Sequence, residues 1–385
     1  MSPVNSSKPK NKVTGLAAPY KLRGVKRELG FLIFTALLIA FPFVFNLFSG
    51  SGLNTGITKF WEGQFINFFI MAVFAMSYDL LIGYGGILSF GHAASFGGGA
   101  YAMAILLTHW GPTFADKYRV LTPGGKDMTG VVIFVIGILG AVFVSLLIGL
   151  LFSATSIRLK GVYFAMVTLA IAEAIHILSK ATDFTEWTGA DEGLHGVLVP
   201  PWLNPTQNRL RFYFIALAFM VISYFLIRRI TNSPTGRVVS ANRENENRMR
   251  MIGFNPATYR MVSFLTASLF AGLAGAMYSM WNMSATPSMT STVTTINILI
   301  MVILGGMGTL VGPIMGAGLM QFFSQFLYDW FGARWPLVFG LIFILIVLFL
   351  PYGIVGTWKL RRPQIKSGWQ RFMALLRGNK EPAKD

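Results

Sequence analysis

Long apolar stretches, each closed by a polar or basic break, recur along the 385 residues. Residues 131–152 run for 22 positions without a charge, enough to cross a hydrocarbon core of about 30 Å. Residues 212–227 are framed by Arg211 on one side and by Arg228 and Arg229 on the other. Residues 337–350 continue to Trp358, an aromatic suited to a membrane interface. This pattern predicts spans near 31–48, 64–82, 88–107, 130–152, 161–179, 212–230 and 259–282, a broken segment at 294–328, and a last span at 336–356. The expected fold is an all-α polytopic membrane protein of about 8–10 transmembrane helices, with broken or re-entrant glycine-rich elements.

Only 12% of the residues are charged, against about 25% in soluble domains, and mean hydropathy is +0.58. There is no cysteine, so disulfides and thiolate metal sites are unavailable. The formal charge of +17 could suggest nucleic acid, but its distribution points elsewhere. With the N-terminus inside, segments 1–30, 153–160, 228–260 and 358–385 hold 24 of the 32 Lys and Arg against five acids, a net +19. The opposite side nets zero, as the positive-inside rule expects, so the charge sets topology and no nucleic-acid partner is implied. The domains that follow are a cytoplasmic basic segment 1–30, a membrane domain 31–356 and a cytoplasmic basic tail 357–385. The basic region before the first span is too long for a usual signal peptide, and no small-residue cleavage pattern follows residue 48, so 31–48 is expected to be retained.

A basic C-terminus inside requires an odd number of crossings after 259–282. The 294–328 region must then count as two short crossings, or as a re-entrant element followed by none. Its centre, 304–313, carries Gly305, Gly306, Gly308 and Gly312 with Thr309 and Pro313, and irregular backbone at that depth must be buried in protein or line a cavity. A second cluster, 83–101, carries Gly85, Gly86, Ser89, Gly91 and His92. Paired broken segments point to internal repeats and a midplane site; close helix packing through small residues is the plainer alternative. The loop 180–211, with Trp187, Trp202 and several Pro and Gly, suggests an ordered external cap.

The polar stretch 233–256 carries helix punctuation: Ser233 to cap, Pro234 at the first helical position, Gly253 at the end and Pro256 to forbid continuation. It is expected to be one basic helix, either a solvated surface helix or one that inserts into a cleft of an ATPase subunit. No phosphate-binding loop exists; residues 124–127 (GGKD) lack the spacing and the hydroxyl, so ATP, if used, is bound by another chain. Ionisable groups within spans are costly and mark candidate sites. Asp79, near a span end, is expected at the interface. His92 is open between a structural hydrogen bond and the pathway. Glu173 and His176, three residues apart on one face, are expected to pair as a packing or gating contact, with no metal.

Four segments, in order, resemble the permease subunits of branched-chain amino-acid ABC importers, the LivM-type subunit in particular. They are 80–101 (LLIGYGGILSFGHAASFGGGAY), 158–177 (RLKGVYFAMVTLAIAEAIHI), 234–278 (PTGRVVSANRENENRMRMIGFNPATYRMVSFLTASLFAGLAGAMY) and 303–318 (ILGGMGTLVGPIMGAG). The resemblance implies a bacterial inner-membrane permease that works with a second permease, two cytoplasmic ATP-binding subunits and a periplasmic substrate-binding protein. It makes 233–256 the ATPase-contacting loop, with Gly236, Arg237, Arg243, Glu244 and Gly253 on its motif. The chain would have no cofactor and no catalytic chemistry of its own. A pathway through Gly85, Gly86, Ser89, His92, Glu173, Gly305, Gly306, Gly308 and Thr309 is expected, since helix ends there offer dipoles without fixed charge. Urea and short-amide importers use similar permeases, and that alternative stays open. An ion-coupled secondary transporter, of another class, would need midplane acids, of which Glu173 alone is well placed.

Overall fold

The structure is a computed structural model that describes residues 29–50, 56–117, 128–159, 161–350 and 352–358. The basic N-terminal segment up to residue 28, part of the loop 108–129 and the tail from 359 lie outside these. Apolar runs fold as helices because a backbone in lipid must satisfy its polar groups internally. In chain order the helices are α1 (Leu29–Ser49), α2 (Gly56–Asp79), α3 (His92–Ile105), α4 (Gly111–Lys117), α5 (Thr129–Arg158), α6 (Gly161–Lys180) and α7 (Thr185–Thr188). Then come α8 (Arg209–Asn232), α9 (Pro234–Glu244), α10 (Glu246–Met251), α11 (Pro256–Asn282), α12 (Thr292–Gly305), α13 (Val311–Phe331) and α14 (Trp335–Phe349). Seven helical stretches among the described residues are long and apolar enough to cross a membrane, so the chain is an all-α multi-pass membrane protein.

The core is built around α2 and α11. In their most apolar windows 78% and 61% of residues are buried, against 17–22% in α1, α5 and α6, whose large apolar side chains face outward. The seam between α3 and α11 is made of small residues. A Cβ at Gly99 would fall on the Gly272 backbone, and one at Gly275 on the Phe96 carbonyl, so only glycine lets the two backbones approach.

One end of the bundle carries α9 and α10. At the other, β1 (Leu194–His195) pairs antiparallel with β2 (Ser284–Ala285), and short helical turns on either side of β1 make the 180–208 loop an ordered cap. Buried Val197 and Leu203 anchor it, and the Val197 N–H donates to the Met283 carbonyl at 3.0 Å.

Two elements depart from full-length spans. Helix α2 ends in a π-helical turn, Leu80–Tyr84, and the chain leaves it at Gly85 and Gly86 before α3 begins at His92, later than the pattern of apolar residues suggests. Helix α12 has 14 residues, about 21 Å, and starts inside the bundle, where Thr290 packs on Gly97 and Thr295 Oγ1 accepts the Ala93 N–H at 3.1 Å. A turn at 306–310 then reverses the chain into α13. The 294–328 region therefore makes two passes, the first of them short. Gly306 and Gly308 have φ of +113° and +72°, and Gly306 lies against the backbone of Tyr352 and Gly356, so this turn requires glycine.

The stretch 233–256 is not one helix. Ser233 Oγ caps α9 by accepting the Gly236 N–H at 3.2 Å, and Pro234 follows as expected. The helix breaks at Asn245, whose extended backbone and side-chain oxygen, accepting the Arg248 N–H at 3.0 Å, start α10 afresh. Asparagine competes for backbone groups in this way, and the break was not legible from the flanking caps. Pro256 opens α11 behind an Asn255 cap.

Candidate coupling junction and substrate cavity

The two glycine clusters meet at the α9 end. The carboxylate of Asp79, at the last turn of α2, accepts the Gly308 N–H at 2.7 Å, and Gly308 packs against the Gly83 carbonyl. Asp79 is fully buried, which corrects the interfacial role expected from its place near a span end. The loop after α2 and the turn before α13 close over it, and neither closure is visible in local sequence. Arg243 of α9 donates from Nη1 to the carbonyl of Gly83. A Cβ at Gly86 would strike the Arg243 side chain, so that glycine makes room for the arginine stem. One side chain of the α9–α10 segment thus holds the irregular end of α2, and Asp79 ties that end to the α12–α13 turn.

The other residues expected in this segment are dispersed. Gly236 is buried against the Ile230 and Thr231 carbonyls, Arg237 reaches the Asn232 carbonyl at 3.4 Å, Glu244 is exposed, and Gly253 (φ +90°) follows α10. Glu246 opens α10 on the same segment. It pairs with Arg250 at 2.7 Å and with Arg260 of α11, while Arg260 Nη1 donates to the Ser156 carbonyl of α5 at 2.9 Å. The segment is therefore fixed to α2 by Arg243 and to α11 and α5 by Glu246 and Arg260.

His92 is buried and hydrogen-bonded. Its Nε2 lies 2.8 Å from Ser77 Oγ, and the ring stacks on Phe74. Ser89 presents its carbonyl to Tyr78 Oη at 2.9 Å and its Oγ to the Gly91 N–H at 3.3 Å. Thr309 Oγ1 donates to the Gly306 carbonyl at 2.8 Å and accepts the Gly312 N–H at 2.9 Å, which braces the turn. Glu173 and His176 do not pair with each other. His176 Nδ1 lies 3.0 Å from both the Pro287 carbonyl and Thr290 Oγ1, and Glu173 accepts from Thr292 Oγ1 at 3.2 Å. Both secure the segment that leads into α12. Glu62, buried in α2 with Arg209 and Lys59 acting on it electrostatically, is a third acid within a span, beside Asp79 and Glu173, and one that the sequence pattern had placed outside the span.

Above the junction lies a cavity of about 440 Å³ between α2, α3, α11, α12 and α13. Phe74, Phe96, Met71, Met301 and Met320 are among its apolar lining residues, and Asn67, Asn282, Asn297 and Gln321 among its polar ones. No residue of this wall was singled out in the sequence, because amides on helices carry no motif. Gly85 and Gly86 line a second cavity of about 620 Å³ at the α9 end, together with Arg243, Glu246 and Arg260. Gly305, Gly306, Gly308 and Thr309 form the turn and lie outside the walls of both.

The family model described as branched-chain amino acid transport system / permease component matches residues 61–350. The LivM high-affinity branched-chain amino acid transport system permease proteins of Salmonella typhimurium and Escherichia coli are each 25% identical over 366 residues, covering 89% of this chain and 77% of theirs. A probable LivM branched-chain amino acid transport permease protein of Methanocaldococcus jannaschii is 26% identical over 325 residues, 76% of this chain and 92% of its own. No solved structure matches the chain. The match to the family model takes in most of the membrane domain and the whole junction, and the chain belongs to the permease components of branched-chain amino acid transport systems.

Proposed function

We propose that this chain is one of two permease subunits of an ABC importer that moves branched-chain or related neutral amino acids across a bacterial inner membrane. A periplasmic binding protein delivers the solute, and two cytoplasmic ATP-binding subunits drive alternating access. ATP binds to those partners, and the chain itself needs no cofactor. Both termini face the cytoplasm, on the same side as α9 and α10.

The observation that carries this reading is the contact of Arg243 with the Gly83 carbonyl. Force applied by a partner to α9 would act on the end of α2 through that contact. Asp79 would pass it to Gly308, and the turn to α12, whose Thr294, Asn297 and Met301 line the 440 Å³ cavity. Gly236, Arg237, Glu244 and Gly253 shape or present the surface on which the partner acts. The glycine turns serve as hinges of the pathway, since glycine there carries backbone conformations that other residues resist.

Uptake of labelled leucine and labelled urea, measured side by side in a deletion strain and its complemented parent, tests the reading. Loss of leucine uptake alone is expected. Loss of urea uptake alone would assign the permease to small amides instead, and loss of neither would remove the substrate assignment.

A further inference from the structure

Four side-chain amides join α2 to α13 in one continuous chain. Asn67 Nδ2 donates to Gln321 Oε1 at 2.9 Å, and Gln321 Nε2 to Gln64 Oε1 at 2.6 Å. Gln64 Nε2 reaches Gln325 Oε1 at 3.5 Å, and Gln325 Nε2 donates to Asp329 Oδ1 at 3.2 Å. The direction of this chain is set by its last member. An ionised carboxylate only accepts, so Asp329 draws the NH2 group of Gln325, and each amide behind it must turn the same way. Amide orientation is thereby fixed by chemistry and not by an arbitrary choice of nitrogen and oxygen. At the far end Asn67 has donated one N–H, and its Oδ1 is a buried acceptor that takes no hydrogen bond from the described residues.

Asn67 and Gln321 belong to the wall of the 440 Å³ cavity. Ten of its seventeen lining residues are polar and none is Asp, Glu, Lys, Arg or His, so a solute with a net charge would shed hydration and meet no counter-charge. A solute whose charges cancel can instead be met by amide and hydroxyl dipoles. The volume lies within the range of small-molecule sites. The lining is also mixed: Asn67, Asn282, Asn297 and Thr294 are polar, and Met71 and Met320 are apolar.

We propose that this cavity holds the amino acid in transit, with its ammonium donating to Asn67 Oδ1 once that side chain turns its enclosed oxygen into the cavity, its carboxylate on the amide and hydroxyl donors of α11 and α12, and its aliphatic side chain against the methionines. The proposal rests on the amino-acid reading above and adds to it a site, a recognition group and a rule of zero net charge. Asp329 and the glutamines act as positioning residues that hold the Asn67 oxygen in the accepting sense.

The absence of cysteine makes the test direct, because a single Ser324→Cys substitution places one thiol of this chain on the cavity wall. The full transporter, reconstituted with its partners in vesicles, is treated with a thiosulfonate reagent in the presence of leucine, leucinamide (a cation), N-acetylleucine (an anion) or urea. Leucine is expected to slow labelling about tenfold, a difference well resolved on an affinity scale, while the other three have little effect. Asn67→Leu should abolish protection by leucine, and Asp329→Asn, which frees the amide chain to reverse, should weaken it. Asn67→Asp keeps the size of the side chain and should let leucinamide protect, a gain that misfolding cannot mimic.

Leucine uptake by the same vesicles is read in parallel. Intact uptake with unprotected Ser324→Cys would overturn the cavity as the site and leave the amino-acid reading standing. Protection by leucine that survives Asn67→Leu, or equal protection by urea, would overturn the recognition proposed. Absence of leucine uptake would remove the amino-acid reading, and this proposal with it.

Discussion

At the junction Arg243 and Asp79 perform different tasks, and substitution should separate them. Arg243 is exposed over much of its length and contributes one hydrogen bond to Gly83, so its loss should leave the fold intact. Arg243→Ala is expected to lower the ratio of leucine transported to ATP hydrolysed by about tenfold, equivalent to about 1.4 kcal/mol of lost coupling. Lysine should restore it in part, because a single donor to one carbonyl does not need the planar fork of a guanidinium. Asp79 is a buried acceptor, and its removal strands the Gly308 N–H. Asp79→Ala should cost about 1–3 kcal/mol, read as a lower Tm in detergent, while Asp79→Asn, which retains an acceptor, should cost less. The amide chain at Asn67 belongs at the other end of this range. Interhelical hydrogen bonds in membranes average about 0.6 kcal/mol, so Asn67→Leu should change transport far more than stability.

Among elements, the long helices were legible in the sequence and their breaks only in part. The charge-free run inside α5 and the basic pair near the end of α8 are properties of single segments, and the lipid imposes them. The glycine turns at 83–86 and 306–308 were legible as breaks because glycine clusters have few other uses at that depth. Their meeting over Asp79 was not, since it depends on residues more than 200 positions apart. Glu173 and His176 show the same limit: their spacing correctly put them on one face, but that face lies against 287–292, which supplies better partners than they offer each other. The α3–α11 seam was visible as small residues and became a packing constraint only with the partner backbone in place. Gly275→Leu should therefore overpack the seam, at a cost of about 1–3 kcal/mol or more, and lower Tm. Gly340→Ala in α14, where a Cβ meets nothing within 4 Å, is the control expected to keep or slightly raise Tm.

For the whole molecule the helices give ten traverses of the bundle, counting the short α12, so the described chain begins and ends on the same side. Charge argues for which side that is. Segment 228–260 has seven Lys and Arg and two Glu, a net +5, whereas loop 180–211 has three basic and four acidic residues, a net −1. A basic residue near an anionic cytoplasmic leaflet is stabilised by about 1 kcal/mol, so placing α9 and α10 inside is favoured by several kcal/mol over the inverse. The cysteine-free chain again offers the measurement. In intact cells a membrane-impermeant maleimide should label Thr188→Cys in the cap beside β1 and spare Ser240→Cys in α9, and permeabilisation should expose the second. Labelling of Ser240→Cys in intact cells would place the Arg243 junction on the outside, beyond the reach of any cytoplasmic ATPase, and the coupling route from α9 to Gly83 and Gly308 would fall with it.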